Sequence, residues 1–81
     1  AKLLDRPIIV DRTVGDVYLF GALLRLDDGS MWDIPSEHQK KVWLWSPGDR
    51  ISLKSLSGNL YRIINTSSSS DMIEAVYLGM Q

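Results

Sequence analysis

The stretch that decides the fold is residues 17–34: Val17-Tyr18-Leu19-Phe20-Gly21-Ala22-Leu23-Leu24-Arg25-Leu26, then Asp27-Asp28-Gly29-Ser30, then Met31-Trp32-Asp33-Ile34. It reads as a long strand, a tight reversal and a return strand. Asp27-Asp28-Gly29 suits a three-residue hairpin loop, a type I turn in which Gly29 takes the left-handed position and forms a bulge. That register sets Leu26 opposite Ser30, Leu24 opposite Trp32 and Ala22 opposite Ile34. Phe20, Ala22, Leu24 and Leu26 then share one apolar face with Trp32 and Ile34. A two-residue Asp28-Gly29 loop would pair Leu24 with Asp33 and mix the faces. Because a one-residue slip inverts every side chain, the first register is expected.

The other face of the long strand carries Leu19 and Leu23 beside Val17, Gly21 and Arg25. It is too apolar for an open solvent face, so either something covers it or it is an interaction surface. Gly21 in mid-strand marks a sharp bend or a close backbone approach, as needed where a small sheet coils into a barrel.

Working outward, residues 8–12 behind Pro7 form a first strand, since proline lacks the amide proton that a central strand would need. Val14-Gly15-Asp16 reads as a turn. Beyond Ile34, Pro35 stops the strand, and Ser36 with Gln39 matches a capping box for one or two helical turns. Val42 and Trp45 then lie on one side and close an end of the core. Ser46-Pro47-Gly48-Asp49 has the proline-before-glycine order of a type II turn.

Residues 50–56 alternate, with Ile51 and Leu53 on one face and Arg50, Ser52 and Lys54 on the other. Ser57-Gly58-Asn59 turns the chain into residues 60–66, with Tyr61 and Ile63 inward and Arg62 outward. Four serines, Ser67 to Ser70, read as a loop tip. Residues 71–78 are the last strand and Gly79-Met80-Gln81 a tail. Five or six short strands with turn signals every ~8–12 residues describe an all-β protein, not alternating βα units. The expected architecture is a single domain over residues 1–81: a small five- or six-stranded, strongly bent barrel, SH3-like or OB-like, with one short helical turn.

The frame Leu26-Asp27-Asp28-Gly29-Ser30-Met31-Trp32, then Trp45 with Gly48-Asp49 and Ile51, then Tyr61 with Ile63-Ile64-Asn65, resembles small exported bacterial β-barrel domains of uncharacterised function. The resemblance covers about half the chain and brings no catalytic motif. It implies a barrel fold and an exported setting, periplasmic or secreted in preference to cytoplasmic. The opening Ala1 fits a trimmed signal peptide, a removed initiator or a piece of a longer chain.

With 81 residues, 44% hydrophobic and 23% charged, the composition is that of an ordinary globular domain. Nine basic and ten acidic residues give a net charge of −1, so nothing pulls the chain as a whole toward nucleic acid or an anionic surface. There is no cysteine, which excludes disulfides and thiolate metal sites. No apolar run is long enough to span a membrane as a helix.

Chemistry is thinly represented. The one histidine, His38, sits between Glu37 and Gln39 in a polar turn, without the cleft, partner or nucleophile that general-base work needs. It reads as a solvated surface side chain, and a non-catalytic protein is expected. Asp27, Asp28 and Asp33 fall close together, but their spacing does not supply a calcium loop, and turn chemistry alone explains the first two. No cofactor and no metal is expected.

The remaining candidates are aromatic. Trp32 and Trp45 read as core, whereas Trp43 is out of phase with Trp45 and either meets a partner or packs on Leu19 or Leu23. Leu19, Leu23 and Trp43 are the expected partner-binding residues, and the expected partner is another protein, met at this patch or through an exposed sheet edge. The alternative is single-stranded nucleic acid on a face made by Lys40, Lys41, Arg50, Lys54 and Arg62 around Trp43. Against it stands the acidic balance, and ordinary solvated strand faces account for those cations equally well. Oligomeric state is left open.

Overall fold

The computed structural model describes residues 9–67 and 71–80. Strand β1 runs Ile9–Tyr18, a 3-10 turn follows at Leu19–Gly21, and β2 (Leu23–Leu26) and β3 (Ser30–Asp33) make the hairpin. A second 3-10 turn, Ser36–His38, leads into α1 (Gln39–Trp43), and β4 (Arg50–Ser57), β5 (Leu60–Asn65) and β6 (Met72–Met80) complete the chain. All neighbouring strands are antiparallel and close in the order β1-β2-β3-β6-β5-β4. The barrel is two three-stranded meanders joined along two seams, β1 with β4 and β3 with β6. Every strand has two neighbours, but β1 meets β4 over residues 9–13 and β2 over residues 14–18, so each half of it keeps one unpaired side.

The hairpin register is the expected one. Leu24 pairs with Trp32, the Ile34 amide donates to the Ala22 carbonyl at 3.0 Å, and Gly29 has φ +87°. Asp28 locks the reversal: its Oδ1 accepts from the Ser30 amide at 2.9 Å and the Ser30 hydroxyl at 2.6 Å. Ser30 Oγ in turn accepts from Trp32 Nε1 at 2.9 Å, which satisfies the buried indole. Arg12 Nε approaches Asp28 Oδ2 at 3.4 Å. Burial pulls the Asp28 carboxyl upward, but the Ser30 hydroxyl and amide and the Arg12 charge outweigh it, leaving its pKa below the ordinary value.

The core is one cluster of inward residues from every strand and from α1: Leu24, Leu26, Trp32, Ile34, Val42, Trp45, Ile51, Ile63 and Ile73 among them. Trp32, Tyr61 and Tyr77 pack ring on ring, with Trp32 5.0 Å from Tyr61, edge to face, and 5.1 Å from Tyr77. Fully buried Asn65 donates from Nδ2 to Asp49 at 3.0 Å. Asp49 also accepts from the Ser46 amide at 3.0 Å, so one carboxylate ties β5 to the turn before β4.

Several local expectations fail for identifiable reasons. The strand expected over residues 17–26 breaks at Leu19, because the chain reverses there and β1 pairs back on β2. Phe20, placed by alternation in the core, is 76% exposed. Val14-Gly15-Asp16 is no turn but a bulge inside β1, where the register shifts against Arg25 and Leu26. Glycine next to aspartate serves either purpose, and long-range pairing chose the bulge.

The capping box does not form. Residues 36–38 are 3-10, α1 starts only at Gln39, and the Gln39 side chain donates from Nε2 back to the Ile34 carbonyl at 2.9 Å. Gly79 and Met80 belong to β6, paired with Met31 and Ser30. The expected strand start at Ile8 and most of the serine run, residues 68–70, lie outside the described residues.

Candidate functional site

The broken strand creates the most unusual surface of the molecule. Leu19 and Phe20 both take left-handed backbone, at φ +54° and +57°. This region costs a side-chain-bearing residue roughly 1–2 kcal/mol, and asparagine or glycine normally fills it. Gly21 follows at φ +96°, and a Cβ there would lie 2.1 Å from the Gln39 carbonyl oxygen and 3.0 Å from the Trp43 amide nitrogen. The 3-10 turn is therefore pressed against α1, backbone on backbone, and only glycine fits the contact.

This contact juxtaposes the exposed side chains of two elements distant in sequence. Leu19 is 68% exposed, Phe20 76%, Trp43 49% and Leu44 80%. The Phe20 and Trp43 rings lie 5.2 Å apart and inclined at 53°. Val42 and Trp45, three residues apart, both point into the core as expected, which leaves Trp43 and Leu44 facing outward. Leu19 and Leu23 line a shallow groove together with Tyr18, Arg25 and Met31. At its margin Asp16 is paired with Arg25 at 3.5 Å and accepts from the Tyr18 hydroxyl at 3.3 Å.

Of the residues expected to meet a partner, Leu19 and Leu23 share the groove, and Trp43 stands beside it. Its ring lies against Phe20. Phe20 and Leu44 escaped sequence reasoning: the first because alternation was carried through Gly21, the second because it lies between two tryptophans. The Val42–Trp45 spacing was the signal that could have placed Leu44 outside.

The cations of the alternative face are dispersed. Lys40 and Lys41 are exposed on α1. Lys54 and Arg62 are register partners across β4 and β5, but Glu74 stands opposite Arg62 on β6. Arg50 lies four residues from Lys54 at the start of β4. Half-buried His38 closes the 3-10 turn. Among the described residues no three histidine or carboxylate side chains gather to hold a metal ion, and no helix is long and apolar enough to cross a membrane.

Fold and surface together define a small closed antiparallel barrel with one apolar end. No family model, no curated protein and no solved structure matches the chain.

Proposed function

We propose that the chain is a non-catalytic binding or accessory module that docks on another protein through its apolar end, with Leu19, Phe20, Trp43 and Leu44 as the contact and the Leu23 groove beside it. The observation that carries this reading is the strained pair. Two consecutive bulky residues occupy a backbone region where asparagine or glycine would be more stable, and their side chains lie in water. Strain of this kind persists where the displayed side chains serve a purpose beyond the fold.

The magnitude fits a transient contact. Complete burial of a leucine- or phenylalanine-sized side chain is worth ~1.5–3 kcal/mol, so these four, at their present exposures, leave about 4–8 kcal/mol of gross hydrophobic free energy unrealised. Association itself costs an amount of the same order. The end alone supports weak binding, and tight binding requires the partner to engage the groove and its polar margin as well. The resemblance of the sequence to exported bacterial barrels supports a periplasmic or secreted setting. An SH3-like or OB-like use of the scaffold, a rigid barrel that presents its connecting loops, is consistent with this mode of recognition.

A photo-crosslinking residue at Leu44 tests the reading in cells that make the protein. A discrete adduct with one other protein, lost on Phe20→Asn, is the expected result. Asparagine tolerates the left-handed backbone, so that variant keeps the fold while removing the ring. Adducts that persist unchanged in Phe20→Asn, or no protein adduct at all, would refute the proposal. Crosslinking to nucleic acid, with binding that falls steeply with salt, would favour the Lys40, Lys41, Arg50, Lys54 and Arg62 face instead.

A further inference from the structure

The turn end of the β2–β3 hairpin, opposite the docking end, opens into a cavity of about 300 Å³. Its walls are the Trp32, Tyr61 and Tyr77 rings and Leu53. The register explains why they meet: Tyr77 pairs with Trp32 across β3 and β6, and Tyr61 pairs with Ser55 across β4 and β5. A comparable cavity beside Asp11, Asp27 and Arg50 has charges of both signs and no aromatic wall. Only the first combines aromatic surface, the Tyr61 and Tyr77 rings inclined over a nearly buried Trp32, with directed polar groups, the usual make-up of a ligand site in a barrel mouth.

The polar groups at this mouth are unequally committed. Asp28 is occupied on both oxygens, Oδ1 by Ser30 and Oδ2 by Arg12 Nε. The Arg12–Asp28 contact is single and long at 3.4 Å, against about 2.7–2.9 Å for a tight charge-assisted bond. Among the described residues the outer edge of the guanidinium makes no hydrogen bond or ion pair. The Tyr61, Tyr77 and Ser55 hydroxyls likewise donate to no described residue. Ser30, by contrast, is fixed between Trp32 and Asp28, so the indole wall and the carboxylate are held in place before any ligand arrives.

We propose that this cavity binds a small planar aromatic carboxylate. Its ring lies against Tyr61 and Tyr77, which Trp32 backs from the core, and its carboxylate meets the outer edge of Arg12, with a tyrosine hydroxyl as second donor. A guanidinium edge presents two parallel N–H donors that match a carboxylate. The volume lies at the lower limit of small-molecule sites, about 300–1,000 Å³, which admits one or two fused rings and excludes a nucleotide.

Amide NMR titration with indole-3-acetate and its neutral isostere indole-3-acetamide tests the assignment. The acid should shift Arg12, Ser30, Tyr61 and Tyr77 and leave Leu19 and Trp43 unmoved. The amide should bind about ten- to a hundredfold more weakly, the range expected for loss of a charged hydrogen bond. Arg12→Gln should bring the acid down to the affinity of the amide without changing that of the amide. Equal binding of the two probes by the unaltered protein, shifts confined to the docking end, or no shift at millimolar probe would overturn the proposal. The probe pair reads out on the unaltered chain, so the result stands even if Arg12→Gln fails to fold.

Discussion

The contact at Gly21 can be tested with an internal control. Gly21→Ala places a methyl group 2.1 Å from the Gln39 carbonyl oxygen, where ordinary contact begins at 3.4 Å. The deficit, 3.4 − 2.1 = 1.3 Å, falls on backbone on both sides. The 3-10 turn and α1 must therefore separate by more than an ångström, disturbing the Phe20–Trp43 contact and the Gln39 hydrogen bond to Ile34. The left-handed backbone adds roughly 1–2 kcal/mol for any side chain, and overpacking a close contact typically adds about 1–3 kcal/mol. A total of about 3 kcal/mol is a large part of the ~4–12 kcal/mol expected for a chain of this length.

Gly48 supplies the control. Its φ is +93°, close to the +96° of Gly21, but a Cβ there meets nothing within 4 Å. Gly48→Ala therefore carries the conformational cost alone, about 1–2 kcal/mol. In thermal unfolding followed by tryptophan fluorescence, Gly21→Ala should lower Tm by roughly 12–24 °C and Gly48→Ala by roughly 4–16 °C. The difference between the two isolates the collision with α1. If Gly21→Ala proved no more destabilising than Gly48→Ala, the backbone-on-backbone contact, and the docking end built on it, would be wrong.

Further outcomes can be stated together. Ser30→Ala leaves the buried Trp32 Nε1 without its acceptor and removes a donor from Asp28, so urea unfolding should show a loss of about 1–3 kcal/mol. Asp28 has a folded pKa below its ordinary value. Its contribution is therefore present above the unfolded pKa, near 3.8, and lost as pH falls through the lower folded value. The urea midpoints of Asp28→Asn and the parent protein should accordingly differ at pH 6 and converge toward pH 2; a constant gap would refute the linkage. Leu19→Gly should relieve left-handed strain at an exposed position, leaving Tm unchanged or raised while adduct formation at Leu44 weakens.

The β2–β3 register was legible because its constraints are local. Asp-Asp-Gly demands one turn, and a slip would bury Asp33 beside Leu24. The faces of β4 and β5 were legible for the same reason, since alternation over four or more residues decides a face. What escaped was where strands end. Gly21 announced a bend or close approach, and the structure has both; that Leu19 and Phe20 leave the strand was not legible, because what Gly21 approaches is α1, nearly twenty residues on in the sequence. Alternation can be continued through a glycine on paper, and the chain itself bends there. The residues of the exposed apolar end were therefore only partly found, with Leu19, Leu23 and Trp43 named, Phe20 assigned inward and Leu44 passed over. The cavity beside Arg12 was invisible for a related reason: Arg12, Asp28 and Tyr61 converge only when the barrel closes.

The two meanders also show which of these features the architecture requires. In the second half, Ser57 pairs with Leu60 around Gly58-Asn59, so the step from first strand to second takes two small polar residues. The same step in the first half uses Leu19, Phe20 and Gly21 and needs a helix to lean on. Barrel closure does not call for that heavier corner, since the molecule makes the plainer one elsewhere. Grafting the serine–glycine–asparagine corner into the first half would yield a scaffold stripped of its handle, the natural starting point for installing a different one.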